Sequence, residues 1–144
     1  RYNFEKGEIS SVLLGKAKKA DISKYGIAQI KKNSKLPGLG LIERIIEKPS
    51  IKKAPSNLYA AGRYIFNNDF FKYLSKVKPD KSNEIQLTDA IADYIKDGKK
   101  VNAFPLEGDI FDCGDNTEYI LANLEFALKD PVMKTKIKNY LKTR

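Results

Sequence analysis

Apolar residues follow two different spacings along the chain, and the change comes near residue 67. Before it, short β-branched runs alternate with stretches rich in Gly, Pro, Ser and Asn, which is typical of strands joined by loops. After it, most apolar residues recur three or four positions apart, as on one face of a helix. The pattern predicts strands over 9–14, 25–30, 41–47, 58–66 and 101–106, and helices over 67–75, 84–97, 115–128 and 131–141.

Local signals set the boundaries of the predicted helices. Gly98 follows the last periodic residue of the second helix and ends it. Asp115 and Glu118 have the spacing of a capping box, and Asp130 followed by Pro131 provides a cap and a proline at the first helical position. Because strands and helices intermix without an internal repeat, the sequence predicts one α/β domain with a mixed sheet and C-terminal helices.

Composition excludes several classes of chemistry. Hydrophobic residues make up 42% and charged residues 31% of the 144 residues, which is the balance of a globular protein. No apolar run approaches the roughly 18–20 residues of a membrane span, and we expect no signal peptide. The single cysteine cannot form an internal disulfide, and the absence of histidine excludes imidazole acid–base catalysis. Chemistry must therefore depend on carboxylates, lysines, backbone groups or a metal with oxygen ligands.

The net charge of +9 leaves a basic nucleic-acid or protein-binding module open as an alternative. Only four of the 27 basic residues are arginine, however, and arginine is the side chain that reads guanine and phosphate bidentately. The excess charge lies in residues 1–72, where the lysines fall in predicted loops. Solvated loops therefore explain the charge without a nucleic-acid partner.

Glu47, Lys48 and Pro49 follow an apolar pair at the end of a predicted strand. Ligands of α/β sheets bind at strand ends. A carboxylate there accepts hydrogen bonds from sugar hydroxyls, and a lysine beside it suits a phosphate. Side chains of neighbouring strand residues point to opposite faces unless Pro49 bends the chain, so two solvated charges at a strand end are the alternative.

Asp112, Cys113 and Gly114 lie between a short extended piece and the capped helix. Asp112 can reach a hard divalent cation that keeps water and substrate phosphates as its other ligands, or it is a turn residue only. Cys113 is predicted to be a small buried hydrophobe, because no histidine could activate it.

Gly26 and Gly62 lie in predicted strands, where glycine costs stability. Gly26 follows Tyr25, and Gly62 interrupts the run from 58 to 66. Each glycine therefore marks either a close approach of the backbone to a ligand or a β-bulge.

Six short blocks, taken in order, resemble the bacterial UTP–glucose-1-phosphate uridylyltransferases. They are Tyr25-Gly26, Glu47-Lys48-Pro49, Ala54-Pro55-Ser56-Asn57-Leu58, Gly62-Arg63-Tyr64, Glu84-Ile85-Gln86-Leu87-Thr88-Asp89-Ala90 and Asp112-Cys113-Gly114. Asn123 with Glu125-Phe126-Ala127 matches as well. The resemblance covers residues 10–141, almost the whole sequence.

The resemblance implies that residues 1–144 form the C-terminal, sugar-phosphate-binding half of a Rossmann-like nucleotidyltransferase fold. It implies an Mg²⁺-dependent reaction of UTP with glucose 1-phosphate that yields UDP-glucose and pyrophosphate. By the same resemblance, Gly26 would present its backbone to the glucose, Glu47 would bind the glucose hydroxyls, and Gly62 would lie against the sugar. Lys48 would be the catalytic cation on the phosphates, and Asp112 would lie near the metal.

The family's Gly-x-Gly-Thr-Arg loop, which cradles the triphosphate, does not occur in these 144 residues. We therefore expect the N-terminal nucleotide-binding half to be absent and the chain alone not to make UDP-glucose. Expected partners are UTP, glucose 1-phosphate, UDP-glucose and either a complementing N-terminal half or a second copy of the chain, in the cytoplasm, without nucleic acid or membrane. A silent remnant that dimerises through residues 133–141 is a further alternative.

Overall fold

The computed structural model describes residues 9–32 and 35–144, so Asn33 and Ser34, in the connection between the second and third predicted strands, lie outside the described residues. The chain divides into two compact units, of which the first ends at Leu106 and the second runs from Glu107 to Arg144. The described part of the first unit contains the strands β1 (Ser10–Lys16), β2 (Ile27–Lys31), β3 (Gly40–Ile46), β4 (Leu58–Ile65) and β5 (Val101–Pro105), and the helices α1 (Phe71–Leu74) and α2 (Leu87–Lys96). The second unit contains the helices α3 (Asn116–Lys129) and α4 (Pro131–Lys142).

The strands of the first unit form one mixed sheet. They pair in the order β1-β4-β2-β3-β5, and β5 closes the order by pairing with β1. The pairing of β1 with β5 is parallel, whereas the other four pairings are antiparallel. The predicted mixed sheet with C-terminal helices is confirmed.

Strand positions agree with the sequence prediction to within two residues at each end. The predicted helix over 67–75 forms as a 3-10 turn, Asn68–Phe70, that continues into α1. A second 3-10 turn, Lys19–Lys24, lies in the polar connection between the first two predicted strands. The largest difference is the start of α2, which lies three residues after the predicted start at residue 84.

A hydrogen-bonded loop delays the start of α2. The Asp80 carboxylate accepts hydrogen bonds from the backbone N–H groups of Ser82 and Glu84, at 2.8 Å and 3.1 Å. Its second oxygen accepts from the side-chain amide of Gln86 at 2.8 Å. Carboxylates that bond nearby backbone groups in this way compete with helix formation. Regular helix therefore begins only at Leu87, immediately after the loop.

The core of the first unit joins α2 to the sheet. Ile91 and Tyr94 of α2 are buried together with Val12 of β1 and Val101 of β5. The Tyr94 ring also packs edge-on against Phe70, with ring centroids 5.4 Å apart. Burial of apolar side chains of this size contributes about 1.5–3 kcal/mol each. The core therefore fixes α2 on the sheet. It also fixes the position of Thr88, in the first turn of α2.

Both helices of the second unit begin at the caps that the sequence predicts. Asp115 accepts hydrogen bonds from the N–H groups of Thr117 and Glu118, at 2.9 Å and 3.0 Å. Asp130 accepts from the N–H of Met133 at 2.8 Å, and Pro131 follows it at the first helical position. Among the described residues, no helix combines the length and the apolar character that crossing a membrane requires.

Candidate functional site

Two polar side chains converge on the backbone of Gly26. Gly26 directly precedes β2, and Glu47 directly follows β3. Because the first residue of β2, Ile27, pairs with the last residue of β3, Ile46, Gly26 and Glu47 lie at the same end of the two strands. A β-carbon at position 26 would lie 2.9 Å from Glu47 Oε2 and 2.9 Å from Thr88 Oγ1. Both oxygens therefore face the space that a side chain at position 26 would fill. This convergence brings together two residues predicted from the sequence, Gly26 and Glu47, and one that was not, Thr88.

The backbone at Lys48 explains how two neighbouring charged side chains share one side of the chain. Lys48 has a φ of +41°, in the left-handed region that non-glycine residues rarely adopt. Its N–H donates to the carbonyl oxygen of Tyr25 at 3.1 Å, which holds this conformation. As a result Lys48 Nζ lies 3.9 Å from Glu47 Oε1, with the lysine side chain half-exposed and the glutamate only 19% exposed. The regular alternation of a strand, which would separate the two charges, ends at Ile46.

Thr88 is the second residue of α2 and is only 6% exposed. Among the described residues, the buried side-chain atom without a hydrogen-bond partner is Asn102 Oδ1, so the Thr88 hydroxyl is not an orphaned buried group. The hydroxyl lies close to Gly26, on the same side as the Glu47 carboxylate, and a hydroxyl in this place is suited to a ligand. The sequence contains a sign that Thr88 is unusual. It is a polar residue three positions before Ile91, on the otherwise apolar face of the helix.

One tyrosine interacts with the Glu47 carboxylate, and two others stack on each other, one of them next to Gly26 in the chain. Burial, and then the negative charge of Glu47, raise the pKa of Tyr64, while a hydrogen bond with the Gly62 backbone lowers it. The Tyr64 phenol is therefore close enough to sense the Glu47 carboxylate. The rings of Tyr25 and Tyr59 stack with centroids 4.7 Å apart. Aromatic faces of this kind suit the C–H faces of a sugar as well as each other.

Gly62 lies in an irregular part of β4, where the register with β1 shifts. Its φ is +73°, which favours glycine, and a β-carbon there would meet no atom within 4 Å. The predicted β-bulge is therefore confirmed. The role of Gly62 next to a sugar stays a prediction.

Asp112 belongs to the second unit and is exposed. Its Oδ1 accepts a hydrogen bond from the Gly114 N–H at 3.1 Å, so part of the carboxylate serves the turn. Within residues 9–32 and 35–144, no group of three or more acidic or cysteine side chains is placed to hold a metal ion. One carboxylate is nevertheless compatible with Mg²⁺, which commonly takes water and substrate phosphates as its remaining ligands. Cys113 beside it is exposed, so the prediction that it is buried is wrong: the turn directs its side chain to solvent.

Comparison with known proteins places these residues in a family. The family model described as Nucleotidyl transferase matches residues 2–128. The chain belongs to this family. The predicted resemblance and fold class are confirmed by that match and by the relatives that follow.

Curated relatives from several bacteria are similar in sequence to this chain. The UTP–glucose-1-phosphate uridylyltransferase of Streptococcus pneumoniae serotype 4 is 34% identical over 139 residues, which are 96% of this chain and 46% of the relative. The protein of the same name from Haemophilus ducreyi is 36% identical over 127 residues, which are 88% of this chain and 43% of the relative. This chain thus spans about half the length of the curated relatives it matches.

Solved structures lead to the same family. A crystal structure of UDP-glucose pyrophosphorylase complexed with UDP-glucose matches with a TM-score of 0.81 and 36% identity, over 90% of this chain and 48% of that chain. A UTP-bound enzyme of the same kind from Acinetobacter baumannii matches with a TM-score of 0.77 and 27% identity, over 97% of this chain and 47% of that chain. The arrangement around Gly26 therefore belongs to a nucleotidyl transferase fold.

Proposed function

We propose that this chain is the sugar-phosphate-binding part of a UTP–glucose-1-phosphate uridylyltransferase. The observation that supports it best is the convergence of the Glu47 carboxylate and the Thr88 hydroxyl on Gly26. The names of the relatives, and the UDP-glucose in one related structure, supply the substrate class. The reaction joins UTP and glucose 1-phosphate to give UDP-glucose and pyrophosphate.

The sugar ring is proposed to lie over Gly26. Glu47 accepts hydrogen bonds from sugar hydroxyls, and Thr88 donates or accepts one beside it. Gly26 leaves room for the two oxygens to come close to the backbone, because any side chain there would collide with both of them. Gly62 provides a second stretch of backbone without a side chain, with open space in front of it.

Lys48 is proposed to be the catalytic cation. Its ammonium group is half-exposed and only loosely paired with Glu47, at 3.9 Å. The ammonium group can therefore bind the phosphate of glucose 1-phosphate without breaking a tight ion pair. In the proposed reaction a phosphate oxygen of glucose 1-phosphate attacks the α-phosphorus of UTP in line, and pyrophosphate leaves. Such a step needs alignment and charge neutralisation rather than a histidine proton shuttle.

Asp112 is proposed as one ligand of an Mg²⁺ ion. The bound ion would supply positive charge to the phosphates of the substrates. The Gly-x-Gly-Thr-Arg loop that the family uses to cradle the triphosphate does not occur in these 144 residues. We therefore propose that these residues bind sugar phosphate and sugar nucleotide but complete the reaction only together with residues that supply this loop.

Calorimetric titration of the chain tests the proposal. Glucose 1-phosphate and UDP-glucose should bind, whereas glucose without its phosphate and UMP without its sugar should bind far more weakly. The variant Glu47→Gln should weaken both ligands, and Lys53→Ala, which changes an exposed turn lysine, should not. Equal affinity for UMP and UDP-glucose would contradict a sugar-phosphate site. Pyrophosphate release from UTP and glucose 1-phosphate by the chain alone would contradict the proposed need for the missing loop.

A further inference from the structure

The loop between α1 and α2 is organised around a single carboxylate. Asp80 Oδ1 accepts hydrogen bonds from the Ser82 N–H, the Ser82 hydroxyl and the Glu84 N–H, at 2.8 Å, 2.7 Å and 3.1 Å. Asp80 Oδ2 accepts from Gln86 Nε2 at 2.8 Å. The bonds from Ser82 and Gln86 hold the pKa of Asp80 well below its usual range, so the carboxylate is charged at neutral pH. One side chain thus fixes the loop from end to end.

The far end of this loop is the start of α2. Gln86 is the residue immediately before the helix, and its own side chain forms no capping hydrogen bond. The first turn is therefore anchored from outside, mainly through the 2.8 Å bond that Gln86 Nε2 donates to Asp80, with a longer bond of 3.2 Å to Glu84 Oε2 beside it. Thr88 lies two residues further on, and its hydroxyl oxygen lies 2.9 Å from the position that a β-carbon on Gly26 would take. A displacement of Gln86 would be transmitted directly to Thr88, since both belong to the same short segment.

We propose that Asp80 is a positioning residue for the sugar site, holding the first turn of α2 through Gln86 so that the Thr88 hydroxyl faces Glu47. This inference rests on the proposed function, because the affinity that it concerns is that for UDP-glucose. Asp80 acts through Thr88, and the carboxylate itself is a structural anchor. Hydrogen bonds around functional side chains commonly set their geometry in this way.

Three variants separate this role from general stability. Asp80→Ala removes every hydrogen bond that the carboxylate accepts. Asp80→Asn keeps an acceptor oxygen for Ser82 and Glu84, and the Gln86 amide can turn to accept from the new amide group. Asp130→Ala removes a comparable carboxylate from the first turn of α4 in the other unit, where it accepts from a backbone N–H at 2.8 Å. It therefore serves as the matched control for losing a helix-start anchor.

Two measurements follow the variants. The NMR signal of the Thr88 methyl group reports its position without any ligand, and calorimetry with UDP-glucose reports the affinity. We expect Asp80→Ala to shift the methyl signal and to weaken UDP-glucose by about fivefold or more, the usual size of such coupling. Asp80→Asn and Asp130→Ala should leave both unchanged. In a Thr88→Val background, Asp80→Ala should cause no further loss of affinity.

The outcomes distinguish this inference from the proposed function. An unmoved Thr88 methyl signal in Asp80→Ala, or an equal loss of affinity with and without the Thr88 hydroxyl, would overturn the positioning role. If UDP-glucose does not bind the unaltered chain, the proposed function fails, and the methyl signal alone still decides whether Asp80 positions Thr88.

Discussion

Replacing Gly26 with alanine adds one methyl group at the point where the candidate site converges. That methyl would lie 2.9 Å from Glu47 Oε2, 2.9 Å from Thr88 Oγ1 and 3.0 Å from Thr88 Cγ2. Ordinary contacts between carbon and other heavy atoms start near 3.4–3.5 Å, so each neighbour must retreat by about 0.5 Å. Thr88 is buried and fixed in a helix, whereas Glu47 can rotate. We therefore expect the carboxylate to move away first.

The loss of affinity follows from the displaced carboxylate. A hydrogen bond to a charged group contributes about 1.5–3 kcal/mol, which corresponds to about 12- to 150-fold in Kd. We expect Gly26→Ala to weaken glucose 1-phosphate and UDP-glucose by an amount in this range. Overpacking of a buried position should also lower the free energy of unfolding by about 1–3 kcal/mol. Calorimetry gives the affinity, and urea unfolding followed by circular dichroism gives the stability.

A second glycine provides a control with a similar cost in stability. Gly98 has a φ of +79°, and a β-carbon there would meet no atom within 4 Å. Gly98→Ala should therefore cost about 1–2 kcal/mol through backbone strain alone, without touching the site. If Gly26→Ala binds both ligands as tightly as the unaltered chain, Gly26 does not set the position of the Glu47 carboxylate for binding. Equal losses of affinity in the two variants would also contradict this role of Gly26, because they would show an effect of stability only.

Three further changes test separate parts of the account. Lys48→Ala should cost about 1.5–3 kcal/mol in binding of glucose 1-phosphate, measured by calorimetry, while Lys53→Ala leaves the affinity unchanged; equal affinities would remove Lys48 from the site. Glu47→Gln should lower the pKa of Tyr64, because the charge that raises it is lost; NMR titration of the phenol ring measures this, and an unchanged pKa would contradict the contact. Asp115→Ala should destabilise the second unit by about 1 kcal/mol through loss of the helix cap, whereas Asp115→Asn should not; urea unfolding compares the two, and equal stabilities would contradict the cap.

Strands and caps could be predicted from the sequence because their causes are local. β-Branched runs end at Gly, Pro and Asn residues, so the five strands lie within two residues of their predicted positions. Asp115 and Asp130 each bond backbone groups two or three residues away, so short spacing was enough to find both caps. The start of α2 could not be placed in this way, since it depends on bonds that Asp80 makes across six residues.

The candidate site was only partly predictable, because its arrangement depends on contacts between distant segments. Glu47 is predicted from its place at a strand end, and Gly26 is predicted because glycine is unfavourable in a strand. The side on which Lys48 lies depends on its left-handed backbone, and that conformation is held by a bond to Tyr25, 23 positions earlier. Thr88 is recognisable in the sequence as a polar residue on an apolar helix face, but it approaches Gly26 only through the packing of α2 on the sheet, so the local pattern does not show what it meets.

The most direct test of the account is an NMR titration of the chain with glucose 1-phosphate, following the backbone amide signals. The largest shifts should cluster at Gly26, Glu47, Lys48 and Thr88, and they should disappear in Glu47→Gln at the same ligand concentration. Shifts that are absent, or that are spread over the exposed lysine loops and persist in Glu47→Gln, would contradict a sugar-phosphate site at Gly26.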